Sequence, residues 1–157
     1  MKLSKNLTLA ECTKSTTASR LGIDNTPDDE WIIENLRAIA SDIFQPLRDA
    51  FGTPIYVSSG YRSEALNKAI GGSKRSQHIQ GRALDLDADV FGVCTNAQSF
   101  NYIRENLVFD QLIWEFGNED NPDWLHISYV DLEKNRKRIL KAVRDQGKVK
   151  YINITNV

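Results

Sequence analysis

The chain has 157 residues, 41% hydrophobic and 26% charged, with 20 Lys and Arg against 21 Asp and Glu for a formal net charge of -1. These proportions exclude a wholly disordered chain, a collagen-like fibre and a disulfide scaffold, and the length suits one domain that buries roughly 70% of its unfolded-chain surface. The even charge argues against nucleic acid as the main partner, because phosphate binding shows itself as a basic excess.

The opening segment, Met1 to Leu9, holds no apolar run of signal-peptide length, and no later stretch reaches the 18 or more apolar residues of a membrane span. The expectation is a chain made in the cytosol and not inserted in a membrane. Cys12 and Cys94 match no Cys-x-x-Cys pattern and read as free thiols, buried or half-buried. A helix start follows at Asn25 to Glu30, with Thr26 as cap, Pro27 in the first turn and three acids facing the positive end of the dipole. Trp31, Ile32, Leu36, Ile39, Ala40, Ile43, Phe44 and Leu47 recur at three- and four-residue steps, which predicts one long amphipathic helix ended by Gly52 and Pro54. Ile55 to Ser59 reads as a strand that opens into the turn Gly60-Tyr61-Arg62-Ser63, and Ser63 to Ile70 as a short helix stopped by Gly71-Gly72.

Ala83-Leu84-Asp85-Leu86-Asp87 alternates strictly, which predicts a strand with both aspartates on one face. A helix is expected over 95–106. Phe109 to Phe116 and Trp124 to Val130 then read as two strands of an antiparallel hairpin joined by the polar loop 117–123. A charged helix over 131–146 and a strand over 148–154 complete the chain. The order of elements predicts an α+β fold with helices packed on a small, mostly antiparallel sheet.

The sequence holds only two histidines, His78 after a glycine-rich loop and His126 in mid-strand between Leu125 and Ile127. Asp85 is an ionisable residue inside an apolar strand. Two imidazoles and a carboxylate are ligands that a catalytic zinc takes, three from the protein with one position open. Taken singly, each has an ordinary alternative: a strand histidine satisfied in the core, or Asp85 paired with Arg62 or Arg82.

The surrounding motif narrows the choice. Ser76-Gln77-His78-Ile79-Gln80-Gly81-Arg82-Ala83-Leu84-Asp85 fits S-x-H-x-x-G-x-A-x-D at all specified positions, and Trp124-Leu125-His126 fits a downstream W-x-H. The chain thereby resembles the zinc peptidases of the D-alanyl-D-alanine carboxypeptidase/endopeptidase group, in its compact single-domain branch. That group includes vancomycin-resistance dipeptidases and many phage endolysins, and shares its fold with the hedgehog signalling domain. Ser58 to Ser63, Leu66-Asn67 with Gly71-Gly72-Ser73, and Phe109 to Ile113 match as well, so the resemblance covers about residues 7 to 130. It implies a hedgehog/DD-peptidase fold over a single domain, 1–157, without a separate wall-binding domain. It also implies a Zn2+ cofactor held by His78, Asp85 and His126. In physical terms Gly81 lets the chain turn into the strand, Ala83 leaves the ligand face uncrowded, and Ser76 either supports the first ligand or performs ordinary turn duty.

Water activated at such a centre needs a carboxylate to carry its proton. The family position three residues before the second histidine is Asp123 here, while folding the hairpin about 117–123 brings Glu115 opposite Leu125 and His126; both remain candidates. Arg62, in the S-G-Y-R-S stretch, is the candidate anion contact by resemblance, with a salt bridge to Asp85 or Asp87 as the alternative. Tyr61 is expected to pack, and Asp87 to orient a ligand histidine. The implied function is hydrolysis of peptide-stem bonds in cell-wall peptidoglycan, in a phage or prophage endolysin reaching the wall through a separate permeabilising protein, or in a wall-recycling enzyme. The competing class is a non-catalytic zinc module on the same fold.

Overall fold

The computed structural model describes residues 1–157. The chain runs β1 (Lys2–Ser4), β2 (Leu7–Thr8), α1 (Leu9–Thr13), α2 (Thr16–Leu21), α3 (Glu30–Ile39), a π turn (Ala40–Phe44), α4 (Gln45–Phe51), β3 (Tyr56–Ser59) and α5 (Glu64–Ala69). It continues through a 3-10 turn (Gln77–Gln80), β4 (Ala83–Asp87), a second 3-10 turn (Ala88–Phe91), α6 (Asn96–Asn106), β5 (Gln111–Glu115), β6 (Trp124–Ser128), β7 (Arg138–Asp145) and β8 (Lys148–Asn153). The main sheet has six strands in the order β3-β4-β6-β5-β7-β8, and β1 with β2 forms a small second sheet. Every neighbouring pair in the main sheet is antiparallel except β5 with β7. The architecture is α+β, as expected.

Period-two alternation decides what each sheet face does. Leu84 and Leu86 of β4, Leu125 and Ile127 of β6 and Leu112 of β5 are all fully buried on one face. They meet Leu36, Ile39, Ile43, Phe44 and Leu47 from the helical layer in a single core of 24 buried residues. Full burial of such side chains contributes about 1.5–3 kcal/mol each against the conformational entropy of ordering the chain. The opposite face of the same strands carries Asp85, His126, Ile113, Glu115 and Trp124, and here the polar chemistry collects.

Three local expectations are corrected. The long helix starts at Asp29, whose side chain accepts from Trp31 N, rather than at Thr26. Asp24 draws the Thr26 N–H into its own turn, while Asn25 bridges Thr13, Tyr61 and Ser63, which holds this segment off helical geometry. Trp31 is half exposed beneath the Arg82 guanidinium and belongs to no core. The helix also takes a π turn, with Gln45 N donating to Ala40 O; the extra residue lets Ala40, Ile43 and Phe44 all reach the core before Leu47 resumes the stripe.

The third correction is the largest. The segment read as a charged helix over 131–146 contains β7, and only a short turn precedes it. Asp145 pairs with Lys148 across the two-residue turn Gln146-Gly147, both at positive φ, which suits the right-handed twist of a hairpin. The lysines and arginines of the segment mimic a solvated helix, but Ile139, Leu140 and Ala142 are buried only because β7 lies beside β5. Tertiary pairing overrides local propensity here.

Candidate metal centre

His78 sits in the 3-10 turn before β4, capped by the Ser76 hydroxyl, which accepts from His78 N. The turn closes on Gly81 at φ +69, where a Cβ would lie 2.7 Å from Ile32 O, so only glycine passes between turn and strand. Asp85 and His126 are directly paired across β4 and β6. Donor atoms of His78, Asp85 and His126 all fall within 4.8 Å of one another.

The protonation of the cluster follows from its partners. His78 Nδ1 lies 2.7 Å from Gly60 O, which can only accept, so Nδ1 carries the proton and Nε2 keeps its lone pair. That Nε2 is buried, has no hydrogen-bond partner, and stands 3.4 Å from Asp85 Oδ1. His126 Nδ1 lies 3.1 Å from the same oxygen. Burial pushes the His78 pKa down towards the neutral ring. Burial opposes the Asp85 charge too, but His78 and His126 together outweigh it and hold this carboxyl well below the ordinary range.

A His78 ring with its Nε2 lone pair free and an ionised Asp85 carboxylate are thus in the state that binds metal. Donors about 2.0–2.2 Å from a tetrahedral zinc lie roughly 3.3–3.5 Å apart, close to the two separations seen here. The orphaned Nε2, and a ring N–H given to a backbone carbonyl, are what a ligating histidine shows. The residues fit the ion.

Glu115 stands on the same sheet face, opposite Trp124 and one diagonal step from His126 rather than opposite Leu125 and His126 as expected. It is only 7% exposed, and burial pushes its pKa up to about 7. Asp123 lies elsewhere. It is exposed; its N donates to Glu115 O, its carbonyl accepts from Asn96, and its side chain borders a separate hollow with Gly117 and Lys141. Arg62 lines the same cleft as the three donors. It pairs with neither Asp85 nor Asp87; one of its Nη atoms donates to Asn67 Oδ1 and its buried Nε has no partner. Asp87 turns from the histidines and accepts from Asp89 N and Asn96 Nδ2. Tyr61 packs in the core, and both cysteines are buried and free, with burial pushing the Cys12 thiol up to about 12.

His78, Asp85, His126, Glu115 and Arg62 line a cleft of about 760 Å³. Its far wall was not foreseen: Leu140 and Arg144 of β7 and Val149 and Tyr151 of β8 face into it. Arg136, entering β7, is held by Asp110, which also accepts from Gln77 beside His78. Burial opposes the Asp110 charge, but these donors outweigh it and keep the carboxyl below its usual range. The two-residue Gln-Gly turn was the available signal for this wall.

Residues 5–128 match the peptidase M15 family. The chain belongs to that family. A stretch of 56 residues is 43% identical to a zinc D-Ala-D-Ala carboxypeptidase of Streptomyces albus G, covering 35% of this chain and 22% of that protein. This M15 member therefore spans a minor part of its relative's length, and its β7–β8 hairpin lies beyond the matched family region.

The Gly60 carbonyl that fixes His78 depends on a close approach. A Cβ at Gly60 would stand 2.4 Å from Cys12 O, where backbone blocks relief. Gly60→Ala is expected to destabilise the protein by about 1–3 kcal/mol and to reduce metal retention, as measured by thermal melting and metal content of the purified variant.

Proposed function

We propose that this protein is a zinc-dependent peptidase that hydrolyses peptide-stem bonds of bacterial cell-wall peptidoglycan, working as a single domain over residues 1–157. The observation that carries the proposal is the convergence of the His78, Asp85 and His126 donors in one cleft with Glu115 and Arg62. Family membership and the relative's named zinc and D-Ala-D-Ala chemistry support it.

His78 through Nε2, Asp85 through Oδ1 and His126 through Nδ1 would hold the ion. Bound zinc supplies Lewis acidity towards water and a substrate carbonyl. Glu115 accepts the proton of the attacking water on its carboxylate and returns it to the leaving amine; its raised pKa suits both halves of that transfer near neutral pH. Arg62 holds a fixed guanidinium beside the donors and gives N–H groups to the charge that develops on the carbonyl oxygen or to a peptide carboxylate. A phage or prophage endolysin is the finer reading, supported by the resemblance of the motif region to that group.

The test is incubation of the zinc-loaded protein with purified cell walls. New amino groups should appear, and a chelator should abolish their release until zinc is restored. Stoichiometric zinc with no cleavage would instead place the chain with non-catalytic modules. Lysis of permeabilised whole cells then separates an endolysin from an enzyme that acts only on soluble fragments.

A further inference from the structure

The C-terminal hairpin forms the far wall of the cleft, yet only β7 is backed by the rest of the sheet, and every residue of β8 is exposed. Core packing therefore does not account for its side chains. Register places Trp124, Glu115, Ala142 and Tyr151 in one row across β6, β5, β7 and β8, so all face the donors' side. Ala142, between Glu115 and Tyr151, is small and fully buried, which opens the row for the tyrosine ring to lean inward. Arg144 is the diagonal neighbour of Tyr151 on the same face.

Arg144 is held without being neutralised. Its guanidinium lies 4.3 Å above the Phe116 ring, and Phe116 in turn packs on Trp124 at 5.4 Å. Phe116 sits at φ 58, an uncommon conformation for a bulky residue, and its N donates to Ala142 O of the hairpin. None of the molecule's ion pairs uses Arg144. A guanidinium stacked by its face leaves its N–H edge free for a planar anion. Leu140 is in line with His126 through Ile113, and Arg144 lies further along β7 by roughly 13 Å, which an extended peptide covers in about four residues.

We propose that the β7–β8 hairpin selects the substrate, with Arg144, braced on Phe116 and flanked by Tyr151, taking a free carboxylate of the peptide several residues from the cut bond. This assigns the remote carboxylate to Arg144 and leaves Arg62 to the charge at the cut bond. The inference rests on the peptidase reading, and the experiment keeps the two apart.

Two synthetic stem peptides serve as probes: L-alanyl-γ-D-glutamyl-L-lysyl-D-alanyl-D-alanine, and the same peptide with the free glutamyl carboxyl amidated. The zinc-loaded protein is expected to favour the acid roughly tenfold in kcat/KM, through KM rather than kcat. Isothermal titration of the metal-free protein should show the same preference in Kd. R144Q should make the two peptides equivalent in both assays, R144K should keep part of the preference, and Tyr151→Phe should weaken it. Circular dichroism and zinc content confirm that each variant is folded. Equal treatment of the peptides by the unaltered protein, or a full preference surviving in R144Q, overturns the inference while cleavage itself upholds the peptidase. If neither peptide is cut, the peptidase reading falls and the titration alone decides whether Arg144 binds the carboxylate.

Discussion

Replacing His126 with alanine is expected to lower peptide hydrolysis about 10³-fold or more and to leave the purified protein without stoichiometric zinc. The reason lies in the geometry of Asp85. Its Oδ1 has two imidazole nitrogens at 3.1 and 3.4 Å, and with one removed a single histidine and one carboxylate remain to hold the ion. The change should not unfold the chain, because His126 faces the cleft while its neighbours Leu125 and Ile127 supply the fully buried core contacts of β6. Metal analysis beside circular dichroism checks both halves. A folded H126A protein with full zinc content would show that the ion is held elsewhere.

Glu115→Gln is expected to separate chemistry from metal binding. Turnover should fall by about 10² to 10⁴-fold with zinc retained, whereas Asp123→Ala, altered in a side chain outside the cleft, should keep most of its activity. The opposite result would move the base to Asp123. A second readout needs no metal. In the metal-free protein burial raises the Glu115 pKa from 4.5 to about 7, so the folded state binds its proton more tightly than the unfolded chain does. Stability from this group is therefore complete below about pH 4.5 and is lost as pH rises through about 7. Glutamine carries no such charge. Metal-free E115Q should match the unaltered protein near pH 4.5 and exceed it at pH 8 by up to about 3 kcal/mol, measured by denaturant unfolding at both values.

The sequence was most legible where side-chain period and local motif agreed. β4 alternates strictly, so Asp85 was placed on the face away from Leu84 and Leu86, and His126 on the face away from Leu125 and Ile127, whereas the pairing of β4 with β6 that brings the two together was not written in either pattern. The choice between Glu115 and Asp123 was not legible, because it turns on register and on how the loop after Glu115 bends. Phe116 and Gly117, both at positive φ, set that bend and take the chain off the strand before Asp123. The hairpin of β7 and β8 was hidden for another reason. Its charged residues suit a solvated helix equally well, and only parallel pairing with β5 makes a strand of it. The Asp29 cap gave way to a nearer-looking one at Thr26 because the contacts of Asn25 with Thr13, Tyr61 and Ser63 span up to 38 residues of sequence.

The pairing of β4 with β6 has a kinetic consequence. Asp85 and His126 are 41 residues apart in the chain, and α6 and all of β5 must be accommodated before they can meet. Closing a loop of that length costs entropy before any contact offsets it, and a sheet whose neighbours are this far apart in sequence folds slowly compared with a helical bundle. The donor set is consequently a late product of folding. An emerging chain that has not yet completed β6 presents two of the three donors, so the full set exists only once β6 has paired with β4.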